Sequence, residues 1–194
     1  MNPVELRTDR LVLRCPAEGD VPAIAAACAD PLIQRFVPVP SPYTLDDARG
    51  FVARSSEEWE SEVAYAFAVV AGGEVAGMAH LARKEAGIVE LGFWTAPAFR
   101  RLGLTTEAAR RLCQWGFDTL DIHRIDWWAV VGNDGSRAVA EAIGFEVEGL
   151  LRRRAVLNGE PQDWWVGGLL TRPARADCSR LSIDSSEQLI SGYE

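Results

Sequence analysis

The residues best suited to bind a charged ligand lie between Glu90 and Ala109. A strand-like stretch ends at Pro97, the basic pair Arg100 and Arg101 follows it, and Gly103 opens a helical run. The first N–H groups of a helix have no internal partner and carry partial positive charge, and a glycine lets an anion approach the backbone closely. This order predicts a phosphate-binding turn. A solvated Arg-Arg-x-Gly turn gives the same pattern, so the turn alone is weak evidence.

Histidine and cysteine residues do not form a metal-binding pattern. The two histidines, His80 and His123, are far apart, and neither has a second ligand at helical or hairpin spacing. The chain also has four widely separated cysteines without Cys-x-x-Cys spacing: Cys15, Cys28, Cys113 and Cys178. We therefore predict no metal site and no disulfide framework, and we expect reduced cysteines that mostly serve packing.

The composition limits the class of protein and its partners. With 194 residues, 48% of them hydrophobic and 25% charged, the chain has the size of one globular domain. We find no targeting pattern and no apolar stretch of membrane-spanning length, so we expect a cytoplasmic protein without a membrane partner. The net charge of −8 argues against a nucleic-acid partner and suits a cationic acceptor. The oligomeric state is left open, with a homodimer as one possibility.

Apolar periodicity and turn signals predict the elements that position the basic turn. Strands are predicted from alternating or continuous apolar residues at Glu5–Arg14, Ala64–Val70, Glu74–Arg83, Ile88–Thr95, Ile122–Val131, Phe145–Leu157 and Gln162–Thr171. Helices are predicted after the capping residues Asp20, Asp30, Thr44 and Asn133, and after the basic turn as far as Leu120.

This order of elements predicts an α+β fold with α/β/α layers. We expect a mixed, mostly antiparallel sheet of about seven strands, with helices on both faces and one strand–helix–strand crossover. Residues 1–171 are predicted to form a single domain. Residues 172–194 are rich in serine and charge without a clear period, and they are predicted to be a C-terminal tail.

The turn and the order of elements resemble the GNAT superfamily of acyl-CoA-dependent N-acyltransferases, in particular its RimJ/RimL branch. The sequence R-R-L-G-L-T is similar to the family loop R/Q-x-x-G-x-G/A, with Arg100 at the first position, Gly103 at the fourth, and Thr105 where Gly or Ala is usual. Further similar pieces follow in family order: L-G-F-W, T-E-A, H-R-I, N-D-G-S-R, I-G-F-E-V-E-G and N-G-E-P-Q-D. Several ordered motifs together are much stronger than any one of them.

The resemblance implies direct transfer of an acyl group, acetyl in the first instance, from coenzyme A to a primary amine, with acetyl-CoA as cosubstrate and no metal. In this family the strand before the loop separates from its neighbour and binds the pantetheine arm, while the loop binds the phosphates. The implied coenzyme-binding residues are Phe93, Trp94, Thr95, Arg100, Arg101, Leu102, Gly103, Leu104, Thr105, Thr106, Asn133 and Arg137.

Ser136 is the catalytic residue that the resemblance implies for the leaving group. The Asn-x-x-Ser pattern that begins at Asn133 would place the Ser136 hydroxyl on the departing sulfur. Residue type alone allows the simpler interpretation that Asn133 is a helix cap and Ser136 an early-turn serine.

Glu90 is our candidate for the general base, which is needed because an amine is mostly protonated at neutral pH and must lose a proton before attack. Glu90 lies on the strand that carries the thioester contacts. The positions of Leu91 and Phe93 leave open whether its side chain points to solvent. Glu160 and Asp163, near the last hairpin, are weaker candidates.

Two questions remain open from the sequence. The acceptor is either a protein N-terminus or a small amine. A catalytically idle acyl-CoA-binding regulatory module would have the same fold, and thiol release in the presence of amines separates it from an enzyme. A nucleotide-binding P-loop is a poor alternative, because no Gly-Lys-Ser/Thr motif follows Gly103.

Overall fold

The computed structural model describes residues 1–171. Its helices are α1 Val21–Cys28, α2 Pro31–Phe36, α3 Leu45–Glu60, α4 Leu104–Thr119 and α5 Asp134–Ile143. Its strands are β1 Leu6–Arg7, β2 Leu11–Arg14, β3 Ala64–Ala71, β4 Glu74–Glu85, β5 Ile88–Thr95, β6 Arg124–Val130, β7 Glu146–Leu157 and β8 Glu160–Leu170. Cys178 and the predicted tail, residues 172–194, lie outside the described residues.

The strands form one eight-stranded sheet in the order β1-β2-β3-β4-β5-β6-β8-β7. Strands β5 and β6 pair in parallel, joined by the α4 crossover, and the other described pairs are antiparallel. The predicted mixed, mostly antiparallel sheet is therefore confirmed. None of the helices within residues 1–171 is long and apolar enough to span a bilayer.

The N-terminal stretch differs from the single strand predicted there. Glu5–Arg14 is not one strand but a hairpin of β1 and β2, in which Leu6 pairs with Leu13. Thr8 closes the turn: its N–H donates to the Leu11 carbonyl, and its hydroxyl accepts from the Leu11 N–H, both at 3.0 Å. The apolar alternation runs through this turn without a break, which is why periodicity alone missed it.

Asp20 stands at the start of α1 but does not cap it, contrary to the prediction. Its buried carboxylate accepts hydrogen bonds from the Arg14 guanidinium at 2.7 and 2.8 Å and from the Ala17 N–H at 2.8 Å. Burial acts to raise the pKa of Asp20, but these bonds outweigh it and lower the pKa. The predicted caps Asp30, Thr44 and Asn133 do accept from backbone N–H groups in the first turns of α2, α3 and α5.

Two apolar cores lie on opposite faces of the sheet. One packs α4 and α5 against the sheet through residues such as Leu112, Ala140 and Leu81. The other packs α1 and α2 against it through residues such as Ile24, Ile33 and Met78. Residues that alternate along a strand therefore face different layers, which gives the predicted helices on both faces.

An opening in the sheet separates the ends of β5 and β6. The parallel pairing runs from Ile88–Arg124 to Leu91–Trp127 and stops there. Beyond Leu91, β5 continues to Thr95 paired with β4 alone, while β6 continues to Val130 paired with β8. The edge of β5 that faces β6 is consequently without a strand partner over its last residues.

Candidate active site

The opening between β5 and β6 leads into a cavity of about 660 Å³, called here the first cavity. Its walls come from the end of β5, the basic turn with the start of α4, the start of α5, and α2. It is lined by Phe93, Trp94, Thr95, Arg100, Arg101, Gly103, Leu104, Thr105, Thr106, Asn133, Gly135, Ser136 and Val139, together with the apolar residues Leu32, Ile33, Phe36, Val37 and Phe99.

The basic turn presents bare backbone to the first cavity. Gly103 is the N-cap of α4 with φ +75°, in the left-handed region, and no side chain within residues 1–171 caps the helix. In this part of the chain the first N–H groups of α4 have no side-chain acceptor, and they carry the positive end of the helix dipole. A Cβ built on Gly103 would meet only Arg10 Nη2, at 3.7 Å, so glycine is needed here for its backbone conformation rather than for space.

A network on the far side of α4 fixes the basic turn. Arg10 donates from Nε to Glu107 at 2.7 Å and from Nη1 to the Leu102 carbonyl at 3.1 Å, and the Thr8 hydroxyl donates to Glu107. Burial acts to raise the pKa of Glu107, but the bonds from Thr8 and Arg10 lower it. The β1–β2 hairpin therefore holds the turn in place before any ligand binds.

The two arginines of the turn have different partners. Arg100 forms an ion pair with Asp30, the N-cap of α2, and its hydrogen bond is the main reason why the pKa of Asp30 is lowered. This pair ties the basic turn to the α2 wall. Arg101 is exposed and has no ion pair within residues 1–171, so its charge is the more available one for a phosphate group.

Asn133 and Ser136 line the first cavity, and the side chain of each has a group that can donate a hydrogen bond. The Asn133 Oδ1 accepts from the Ser136 N–H at 3.2 Å, and the Ser136 Oγ accepts from the Trp127 indole N–H at 3.0 Å. Trp127 is 1% exposed and is the last β6 residue paired with β5. Among the described residues 1–171, neither the Asn133 amide nor the Ser136 hydroxyl donates a hydrogen bond, so both can donate to a ligand.

A second cavity, of about 430 Å³, adjoins the first and shares Val37 and Trp94 with it. It lies on the α1–α3 face of the sheet. Its other walls are Ile24, Cys28, Pro38, Val39, Pro40, Tyr43, Asp46, Asp47, Gly50, Phe51, Arg54, Ala66, Met78, Ala79 and His80. Burial raises the pKa of Cys28 to about 11 and that of Tyr43 to about 12, so both side chains are neutral at physiological pH.

Most of the predicted coenzyme-binding residues come together on the first cavity. Leu102 and Arg137 do not line it. Leu102 is 54% exposed. Arg137 donates to Glu141 at 2.8 Å and lies 5.0 Å over the Trp165 ring, away from the cavity wall.

Of the two predicted catalytic residues, Ser136 lines the first cavity and Glu90 lines neither. Glu90 is half-buried on the same face of β5 as Trp94, and its carboxylate forms an ion pair with Lys84 at 3.0 Å. The geometry therefore does not support Glu90 as the group that contacts an acceptor. The weaker candidates also lie off both cavity walls, Glu160 at the start of β8 and Asp163 bonded to the Arg153 N–H at 2.8 Å.

Sequence reasoning missed two polar residues of the second cavity, His80 and Tyr43. Neither residue stands in a motif. The alternation along β4 does place His80 on the face of Met78, but the wall becomes visible only when α1, α3 and the segment from Val37 to Tyr43 fold over that face.

The chain is similar in sequence to known acetyltransferases. Residues 10–146 match the family model described as an acetyltransferase (GNAT) domain. The putative ribosomal N-acetyltransferase YdaF of Bacillus subtilis (strain 168) is 41% identical over 83 residues, an alignment that spans 43% of this chain and only 45% of that relative. The uncharacterized N-acetyltransferase YoaA of the same organism is 27% identical over 166 residues, which cover 81% of this chain and 92% of the relative.

Solved structures share the fold. RimL, a ribosomal L7/L12 alpha-N-protein acetyltransferase solved with coenzyme A, superposes with a TM-score of 0.80 at 22% identity, covering 86% of this chain and 98% of that one. The Microcin C7 self immunity acetyltransferase MccE, solved with acetyl-CoA and AMP, gives a TM-score of 0.78 at 22% identity and covers 84% and 94% of the two chains.

Proposed function

Because this chain belongs to the GNAT acetyltransferase family, we propose that it transfers an acetyl group from acetyl-CoA to a primary amine by direct attack in a ternary complex. The observation that carries the proposal is the opening between β5 and β6, which meets the uncapped start of α4 inside the first cavity. An extended thioester with a pyrophosphate at one end fits this combination. The volume of about 660 Å³ also lies in the usual range of ligand-binding cavities.

The first cavity supplies the contacts that coenzyme A needs. The N–H groups at the start of α4, together with Arg101, bind the pyrophosphate, since both present positive charge and have no competing partner in the described part of the chain, residues 1–171. The unpaired edge of β5, from Phe93 to Thr95, hydrogen-bonds the amide groups of the pantetheine arm. Arg100 forms an ion pair with Asp30 and so holds α2 against the basic turn rather than binding phosphate first.

Ser136 and Asn133 act on the leaving group. The acetyl group leaves sulfur as negative charge develops there, and a hydrogen bond from the Ser136 hydroxyl strengthens as that charge grows. Trp127 is a positioning residue: its indole occupies an acceptor site of the Ser136 oxygen and so directs the hydroxyl proton elsewhere. Asn133 fixes the same turn through the Ser136 N–H.

The acceptor amine enters through the second cavity, which adjoins the first at Val37 and Trp94. We favour the α-amino group of a protein, which is the group named for RimL, an alpha-N-protein acetyltransferase of the same fold. A small amine is the other acceptor class. The net charge of −8 suits either, because both are cationic before reaction.

A thiol-release assay tests this proposal. The complete chain is incubated with acetyl-CoA or succinyl-CoA and a panel of acceptors, namely short peptides with free α-amino groups, the same peptides N-terminally blocked, and small mono- and polyamines. We expect acetyl-CoA turnover with the free peptides and none with the blocked ones. Coenzyme binding by calorimetry without thiol release for any amine would instead identify an idle binding module.

We propose that residues 1–171 form the catalytic domain and that the protein is cytoplasmic. Coenzyme affinity of a chain ending at residue 171 tests the first statement, and fractionation of cells tests the second. Sedimentation equilibrium decides between a monomer and a homodimer.

A further inference from the structure

We propose that His80 is the group that takes the proton from the acceptor amine. This inference rests on the proposed function, and it assigns the general base of that reaction to a residue of β4. His80 pairs with Gly92 of β5. Gly92 directly follows Leu91, the last β5 residue that pairs with β6. The His80 side chain therefore lies at the root of the opening that leads into the first cavity.

The close contact between His80 and β5 depends on Gly92. A Cβ built on Gly92 would lie 2.2 Å from Cε1 and 2.7 Å from Nε2 of His80. Contacts this short do not occur, so a side chain at position 92 would displace the imidazole. The glycine thus brings the ring against the backbone of the strand that carries the proposed thioester contacts.

His80 also faces the side from which the acceptor arrives. It lines the second cavity together with Trp94, and Trp94 in turn lines the first cavity. Neither ring nitrogen of His80 takes part in a hydrogen bond among residues 1–171, whereas the rival Glu90 is held by Lys84. A ring nitrogen is consequently available to an incoming amine.

Burial has the largest effect on the pKa of His80, and two nearby charges modify it in opposite directions. Burial lowers its pKa from the ordinary value, the carboxylate of Glu90 on β5 raises it, and Lys84 on β4 lowers it. The imidazole is therefore unprotonated at neutral pH and can accept a proton. Glu90 acts through His80, since its negative charge favours the imidazolium that forms.

The other titratable groups of the second cavity are already engaged or neutral, apart from Arg54. On α3, Asp46 pairs with Arg49 at 2.7 Å, and Asp47 accepts from the Thr44 N–H and hydroxyl. Cys28 on α1 and Tyr43 before α3 stay protonated, because burial raises the pKa of each. His80 is thus the group on this wall suited to accept a proton at neutral pH.

The proton and electron balance of the step is complete. One proton passes from the ammonium group of the acceptor to an imidazole nitrogen of His80 and then to solvent. The freed lone pair on the amine nitrogen forms the bond to the thioester carbonyl carbon, and the electrons of the C–S bond leave with sulfur. A second proton from the same nitrogen ends on sulfur as the thiol, while Ser136 only hydrogen-bonds to it.

The test compares pH–rate profiles at saturating substrates for the wild type, His80→Gln and the matched control His123→Gln. His123, the other histidine of the chain, is exposed and lines neither cavity. We expect His80→Gln to lower kcat at pH 7 by about a hundredfold and to move the acid limb of the profile to about pH 8, the range of a free α-amino group. The wild type and His123→Gln should keep a limb below about 6.5.

Imidazole rescue of His80→Ala provides a second readout, because added imidazole can fill the space of the lost ring and restore the proton acceptor. Coenzyme affinity measured by calorimetry shows whether each variant is folded. If His80→Ala does not bind coenzyme, the pH–rate profile of His80→Gln decides the test. A folded His80→Gln with the wild-type rate and profile overturns this inference alone. Absence of thiol release by the wild type with every acceptor overturns the proposed function and the inference with it.

Discussion

The two cavities that meet at Trp94 are built in different ways. The first takes most of its polar wall from one continuous stretch, the end of β5, the basic turn and the start of α4, with the start of α5 beside it. The second is assembled from α1, the segment after α2, α3, β3 and β4. The first offers mainly backbone and amide or hydroxyl donors, whereas the second offers side chains.

The two kinds of cavity wall suit two different functions, binding of the coenzyme and binding of the acceptor. Backbone donors on a turn braced by Arg10 and Glu107 suit a ligand of fixed shape, such as a coenzyme. Side chains from several elements can be replaced one at a time, which suits an acceptor that varies between proteins of one fold. Changes to the first cavity should therefore alter coenzyme binding or leaving-group chemistry, and changes to the second should alter acceptor use.

The largest expected effect is that of Gly103→Val. Valine is strained at φ +75°, so the turn would rotate and its N–H groups would leave the phosphate site. We expect coenzyme A affinity to fall about a hundredfold, measured by calorimetry. Gly159→Val is the matched control, because Gly159 has φ +82° but lies in the β7–β8 turn outside both cavities, and its affinity should be unchanged. Equal affinities for the two variants would contradict the placement of the phosphates.

Ser136→Ala should have the next largest effect. Loss of the hydrogen bond to the leaving sulfur should lower kcat about tenfold or more while coenzyme affinity stays nearly the same. The measurement is thiol release at saturating acetyl-CoA with the best acceptor of the panel. A wild-type rate in a folded variant would leave Ser136 as a helix residue without a catalytic role.

A double variant distinguishes the catalytic from the structural part of Ser136. In Ser136→Ala, the buried Trp127 N–H loses its acceptor, which costs about 1–3 kcal/mol of unfolding free energy. Adding Trp127→Phe removes that unsatisfied donor, so we expect denaturant unfolding to show part of the stability regained while kcat stays low. Recovery of kcat together with stability would show that the rate loss of the single variant came from unfolding.

Glu90→Gln should have the smallest effect of these substitutions. It should alter the reaction with the acceptor and leave coenzyme binding unchanged. The carboxylate of Glu90 raises the pKa of His80, so its removal lowers that pKa further and moves the acid limb of the pH–rate profile to lower pH. We expect kcat at pH 7 to change by only about threefold and coenzyme affinity to stay constant. A hundredfold loss at unchanged affinity would return the role of base to Glu90, the original prediction from sequence.

The sequence was sufficient for the first cavity because its chemistry is local. The strand, the basic pair, the glycine and the start of the helix follow one another directly in the chain. Asn133 likewise lies only three residues before Ser136, from whose N–H it accepts a hydrogen bond. The position of Arg137 over Trp165, off the wall of the first cavity, could not be seen in the sequence because β8 lies far along the chain. The same limit hid the N-terminal turn, where Thr8 rather than glycine or proline reverses the chain.

The place of His80 in the second cavity could not be predicted, because it depends on the register in which β4 pairs with β5. His80 reaches the root of the opening only because β4 and β5 pair so that it stands opposite Gly92. Nothing in the residues around His80 encodes that alignment, and a shift of one residue would turn the ring to the other face of the sheet.

Trp94 and Val37, which form part of both cavity walls, also make binding at the two sites interdependent. Any displacement of these side chains by the coenzyme reshapes the place where the acceptor sits. Thermodynamic linkage then requires that the acceptor change the affinity for the coenzyme by the same factor. The partition between the cavities is in this sense the part of the molecule through which each substrate alters the affinity for the other.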